Sequence, residues 1–120
     1  MEMKIKSPDQ RFTPEPRDNG WALYIMQKPH FGAKFRFLKP GSEMHLHSTQ
    51  DWEEIIHILS GEADIYTRPQ NGEGQWVKAV AGHSFFLHTN TLHRLRVTSP
   101  RGMAYLSIAI QGGFQWHDVK

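Results

Sequence analysis

The sequence contains no cysteine. That excludes disulfides, thiolate zinc sites and a cysteine nucleophile, and it fits a reducing compartment. No apolar run approaches the roughly 18 residues that a membrane span needs. The opening Met1-Glu2-Met3-Lys4-Ile5-Lys6 has no apolar h-region. Neither a membrane partner nor a secretory signal is therefore expected, and the chain reads as cytoplasmic. An excess of one charge is also missing: 14 Lys and Arg stand against 12 Asp and Glu. The densest basic piece is Arg94, Arg96 and Arg101. It carries no recognised nucleic-acid motif, so no nucleic-acid partner is expected. Repeats and low-complexity tracts are absent, and no segment sustains a helical period.

What is present is a series of short apolar runs cut by Gly and Pro. A length of 120 residues suits one domain. Hydrophobic residues at 38% and charged residues at 22% suit a globular one. Pro8, Pro14, Pro16 and the Asp18-Asn19-Gly20 turn signal mark residues 7–20 as irregular. The chain is thus divided into an N-terminal arm, 1–20, and a single β domain, 21–120. Strands are expected at 21–27, 33–38, 43–47, 52–59, 63–67, 76–80, 84–87, 93–97 and 103–110. Many short strands at close spacing predict an all-β fold, a double-sheet jelly-roll barrel.

Eight histidines are the compositional oddity. In His45-Leu46-His47 the two imidazoles share one strand face, with Cα atoms about 6.6 Å apart. Both can tilt toward one ion about 2.1 Å from each nitrogen, and Leu46 would then point into an apolar layer. On the next strand Trp52, Glu54, Ile56 and Ile58 form the more apolar face, which faces the interior. Glu54 is thereby placed among apolar residues, where an unpaired carboxylate is costly and a metal offsets that cost. Gly82 opens a strand, Thr89-Asn90-Thr91 makes a turn, and His93 begins another strand.

These residues resemble the cupin superfamily. Gly41, His45, His47, Glu54 and Gly61 are similar to the first cupin motif. Gly82, Asn90 and His93 are similar to the second. The resemblance covers residues 41–97 and implies a double-stranded β-helix that holds one divalent transition-metal ion (Fe, Mn, Ni, Co or Zn) through His45, His47, Glu54 and His93. It also implies a homodimer. The interval Ser48 to Glu53 is longer than usual, and the extra length is assigned to the 48–52 loop, which leaves Glu53 as a rival ligand. Asn90 stands where glycine is common, and asparagine tolerates the left-handed conformation such a turn needs.

Strand phase sketches a substrate pocket from Phe35, Phe37, Trp52, Ile56 and Tyr105. On the last strand either Met103, Tyr105 and Ser107 face inward, or Ala104, Leu106 and Ile108 do. Tyr105 and His88 are the candidate catalytic groups, His88 as a proton shuttle at the mouth. The resemblance implies a metal-dependent enzyme acting on a small organic molecule, with a dioxygenase favoured. A lyase, isomerase or decarboxylase is the alternative reaction, and a non-catalytic ligand-binding or sensor module is the alternative class.

Overall fold

A computed structural model describes residues 13–112. It contains ten strands: β1 (Glu15–Arg17), β2 (Gly20–Lys28), β3 (Phe31–Leu38), β4 (Glu43–Ser48), β5 (Trp52–Ser60), β6 (Glu62–Arg68), β7 (Gln75–Val80), β8 (Ser84–Leu87), β9 (Leu92–Val97) and β10 (Met103–Gln111). Nine lie where hydrophobic alternation places them. β1 falls inside the stretch expected to be irregular. The Asp18-Asn19 turn folds it back on β2, pairing Glu15 with Ala22 and Arg17 with Gly20. His117 and the first twelve residues lie outside the described part.

The strands form two antiparallel sheets, six strands in the order β1-β2-β3-β10-β5-β8 and four in the order β4-β9-β6-β7. This is the expected all-β jelly roll. No helix among the described residues is long and apolar enough to cross a membrane. The core lies between the sheets. Leu38, Ile58, Leu95, Met103 and Tyr105 are its largest fully buried side chains, and Ile56, Ile65, Leu87 and Val97 pack with them. Glycine is required where β5 turns into β6. Gly61 has φ +82°, and a Cβ there would lie 2.3 Å from the Gly102 carbonyl oxygen, so a side chain would be both strained and obstructed.

The phase of β10 is decided by its neighbours. Tyr105 pairs with Ile58 on β5 and Arg36 on β3, and Met103, Tyr105 and Ser107 are buried. The same register corrects the reading of β3. Lys34 and Arg36 lie on the inner face with Ser107 and Tyr105, while Phe35 pairs with Leu106 and Phe37 with Ala104 on the outer face. Phe37 stacks there on Trp21, with ring centroids 5.9 Å apart. Phe35 and Phe37 are therefore not pocket residues. The expectation failed because the outer face of this sheet is itself apolar, so hydrophobicity alone does not reveal which side is inside.

Candidate metal centre

The candidate site lies at one end of the barrel, where β4, β5, β9 and β10 meet. Two loops hold it. The Thr49 backbone N–H donates to the Thr91 carbonyl, and that of Asn90 donates to the Gln50 carbonyl, at 3.0 and 2.7 Å. The Thr49 hydroxyl donates to the His88 carbonyl at 2.6 Å and accepts from the Thr91 N–H at 3.0 Å. The extra residues of the 48–52 loop thus clip onto the turn that precedes His93. Asn90 has φ 54°, the left-handed conformation expected of it.

Three of the four expected donors come together. His47 pairs with His93 across β4 and β9, and their ring centroids are 3.9 Å apart. His93 Nε2 lies 3.8 Å from Glu54 Oε1. The other oxygen, Glu54 Oε2, accepts a hydrogen bond from the Ser107 hydroxyl. Glu53 faces the other way and meets His88, with Oε2 3.2 Å from Nδ1. His45 stands apart. Met44 pairs with Leu95 and His47 with His93, so β4 bulges by one residue between them. Strict alternation breaks at the bulge: Met44 lines the interior, His45 is exposed, and Leu46 is 51% exposed instead of entering an apolar layer. As placed, no three His, Asp or Glu side chains among the described residues are arranged around a common point for an ion.

The donor chemistry nonetheless suits a divalent ion. Nδ1 of His47 lies 2.6 Å from the His45 carbonyl oxygen, and Nδ1 of His93 lies a longer 3.5 Å from that of Thr91. A carbonyl only accepts, so each Nδ1 is the donor, and the neutral ring with its proton there has Nε2 as the ligand nitrogen. His93 is 3% exposed, and its Nε2 has no hydrogen-bond partner among the described residues. Burial first, then neighbouring His47, hold its pKa down to about 4. It is thus neutral at ordinary pH, with an unsatisfied acceptor facing a carboxylate.

Beside these donors is a hollow of about 260 Å³, lined by Arg17, Ala22, Tyr24, Lys34, Arg36, Met44, His47, Glu54 and Tyr105. An adjoining hollow of about 230 Å³ shares Tyr24, Lys34 and Glu54 with it and takes in Trp52. Trp52 and Tyr105 thus line the region expected of them. Ile56 lies in the core instead, 2% exposed, because its position one step deeper on β5 is filled by side chains of both sheets. Tyr105 is 2% exposed. Burial and the charge of Glu54 push its phenol far above the usual value, so it stays protonated. His88 is not at the mouth: its side chain is 75% exposed on the outer face with Glu53, edge-on to Phe86. The cationic lining of Arg17, Lys34 and Arg36 was not foreseen. The available signal was the period-two partnership of Lys34, Arg36 and Leu38, which reads correctly once Leu38 is taken as the inward anchor.

Solved structures share this fold. The S161A mutant of Bacillus subtilis oxalate decarboxylase matches with a TM-score of 0.73 at 16% identity, covering 87% of this chain and 28% of that one. A second structure of the same enzyme, reported for its Mn(II) centres, matches with a TM-score of 0.73 at 17% identity, again covering 87% and 28%. The Drosophila melanogaster CENP-C domain matches with a TM-score of 0.70 at 12% identity, covering 82% of this chain and 72% of that one. The chain thus spans little more than a quarter of the oxalate decarboxylase chains. No curated protein sequence matches it. The cupin domain family matches residues 35–109, well over half of the 120 residues, and the chain belongs to that family.

Proposed function

We propose that this cupin is a metal-dependent enzyme acting on a small organic molecule in the hollow beside His47, Glu54 and His93. The observation that carries the reading is the buried, proton-free Nε2 of His93, which faces Glu54 and touches His47. A buried acceptor left without a partner costs roughly 1–3 kcal/mol, and a cation held there offsets the cost. His45 is proposed as the fourth donor, from the same strand as His47. The Mn(II) centres of the oxalate decarboxylase structure put manganese beside iron among the candidate ions; nickel, cobalt and zinc suit the same mixed nitrogen–oxygen donors.

A bound divalent ion would polarise a chelating substrate oxygen and, where redox-active, give access to dioxygen. The chain's own groups do the remainder. Ser107 holds the Glu54 carboxylate in place. Tyr105 presents a neutral hydroxyl from the wall. We favour dioxygenase chemistry, and the lyase, isomerase and decarboxylase readings use the same site. A cysteine-free chain fits a cytoplasmic setting.

The test is elemental mass spectrometry on untagged protein, with candidate substrates then followed by oxygen uptake. Near-stoichiometric metal is expected in the wild type and in Glu53→Ala, with large loss in His93→Ala and Glu54→Ala. Turnover that consumes oxygen supports the dioxygenase, whereas equal anaerobic turnover moves the assignment to a lyase, isomerase or decarboxylase. Folded protein that stays metal-free after incubation with each of the five ions would overturn the reading.

We also propose that the protein is a homodimer. Across the outer face of the six-stranded sheet, Leu23, Phe35 and Leu106 form one row, which ends on the hydrogen-bonded pair His57 and Ser84, and Ala33, Ile108, Ile55 and Phe86 form the next. The outer face of the other sheet is charged, with Glu43 paired to Arg94 and Arg96 at 3.0 Å and both guanidinium groups lying over the ring of Trp76. An apolar sheet face of this extent is the kind of surface that a second copy covers.

A further inference from the structure

Arg36 is the cation that the site above leaves unused. It is 8% exposed and lies on the inner face of β3, directly beside Tyr105 of β10. Its Nη2 donates to Asn19 Oδ1 at 2.7 Å, which fixes the guanidinium in place. Its Nη1 is buried with no hydrogen-bond partner among the described residues, in the wall of the same hollow as Glu54 and His47. A buried guanidinium with an open donor is costly to keep. Its charge also faces the buried Tyr105 hydroxyl.

The neighbours reinforce the charge. Lys34 lines both hollows, with its Nζ 5.8 Å from the centre of the Tyr24 ring. Arg17 lines the first hollow too, but its charge is engaged by Glu15 at 3.0 Å. Glu54 is the one carboxylate among the residues lining the first hollow, and it is aimed at His93 and Ser107. The part of the hollow's wall that β3 forms is therefore positive and partly unsatisfied.

We propose that Arg36 anchors a carboxylate group of the ligand, with Lys34 adding charge at the entrance, so that this hollow takes small organic carboxylates. A planar guanidinium matches a planar carboxylate in geometry as well as charge, and about 260 Å³ admits a molecule of roughly ten heavy atoms, since a cavity of about 150 Å³ holds benzene. The inference names the substrate class for the function proposed above and rests on that reading for its chemistry, but the anion site is separately measurable.

The experiment is an NMR titration of the wild-type protein, following the Arg36 side-chain Nε–Hε signal and the Tyr105 amide. The probes are succinate, its neutral analogue succinamide, and inorganic phosphate. Saturable shifts of both signals with succinate and none with succinamide are expected. Arg36→Met should weaken succinate binding by about tenfold, the loss of one charge-assisted contact, while its bound metal, read by elemental mass spectrometry, stays as in the wild type. Chelator-treated protein should still show the Arg36 shift. That separates the two ideas: the shift without metal sustains the carboxylate site even if the metal reading fails. Bound metal with an unresponsive Arg36 overturns the carboxylate site alone. Equal response to phosphate and succinate would overturn the carboxylate assignment in favour of a general anion site. Should Arg36→Met fail to fold, the wild-type titration decides by itself.

Discussion

At the residue scale, His93 is the group whose environment departs furthest from that of a free histidine. Its imidazole is buried, touches another imidazole and holds its proton on Nδ1. The consequence for stability has a definite sign. The folded pKa is about 4 against 6.5 in the unfolded chain, so between those values the unfolded state binds more protons. Stability contributed by neutral His93 is complete above pH 6.5 and is lost as pH falls toward 4. The loss is about 2–3 kcal/mol, from the size of the shift. Denaturant melts of chelator-treated protein at pH 7 and pH 4.5 should show it, and His93→Gln should flatten that difference. An equal pH dependence in His93→Gln would assign the effect to other groups. The residue types of this site were legible in the sequence, because His-x-His followed by Glu and a distant His is a compact statement of ligand chemistry. The inward Arg36 was not, since one alternating run, Ala33 to Leu38, supports either phase until a neighbouring strand selects one.

At the element scale, the site depends on a clip between the 48–52 loop and the 88–91 turn. Thr49 serves both segments at once: its N–H and hydroxyl reach the Thr91 and His88 carbonyls, and its hydroxyl oxygen receives the Thr91 N–H. Thr49→Val keeps shape but leaves two backbone groups in a buried setting without partners. It should cost about 2–3 kcal/mol by denaturant titration and weaken metal binding, because it frees the turn ahead of His93. Wild-type stability in Thr49→Val would show that the clip is incidental. The strand sequence of this region was readable from period-two patterning. The bulge in β4 was not: it displaces His45 and exposes Leu46, and no local signal separates a bulged His-Leu-His from a regular one. Pairing with β9 creates it, since three steps on one strand must match two on the other.

For the whole molecule, the outer face of the six-stranded sheet carries rows of apolar side chains across β2, β3, β10 and β5. Light scattering should give twice the chain mass of 13.9 kDa. Phe35→Glu combined with Leu106→Glu should yield a monomer that keeps its metal content, because both side chains point away from the site. A wild-type monomer at micromolar concentration would overturn the dimer.

The sequence by itself determined the fold class, nearly all the strands and the residue types of the candidate site. Those properties are local: turn residues, alternation and ligand type are written in short windows. The tertiary structure alone decided which face of β3 and β10 turns inward, that His45 stands off from His47, that His88 lies outside, and that Arg36 reaches the hollow. For β3 and β10 the physical reason is that a sheet with apolar residues on both faces gives no hydrophobic cue to its orientation, so register with neighbouring strands, which is non-local, has to supply it; for His45 it is the equally non-local pairing with β9 that bulges β4.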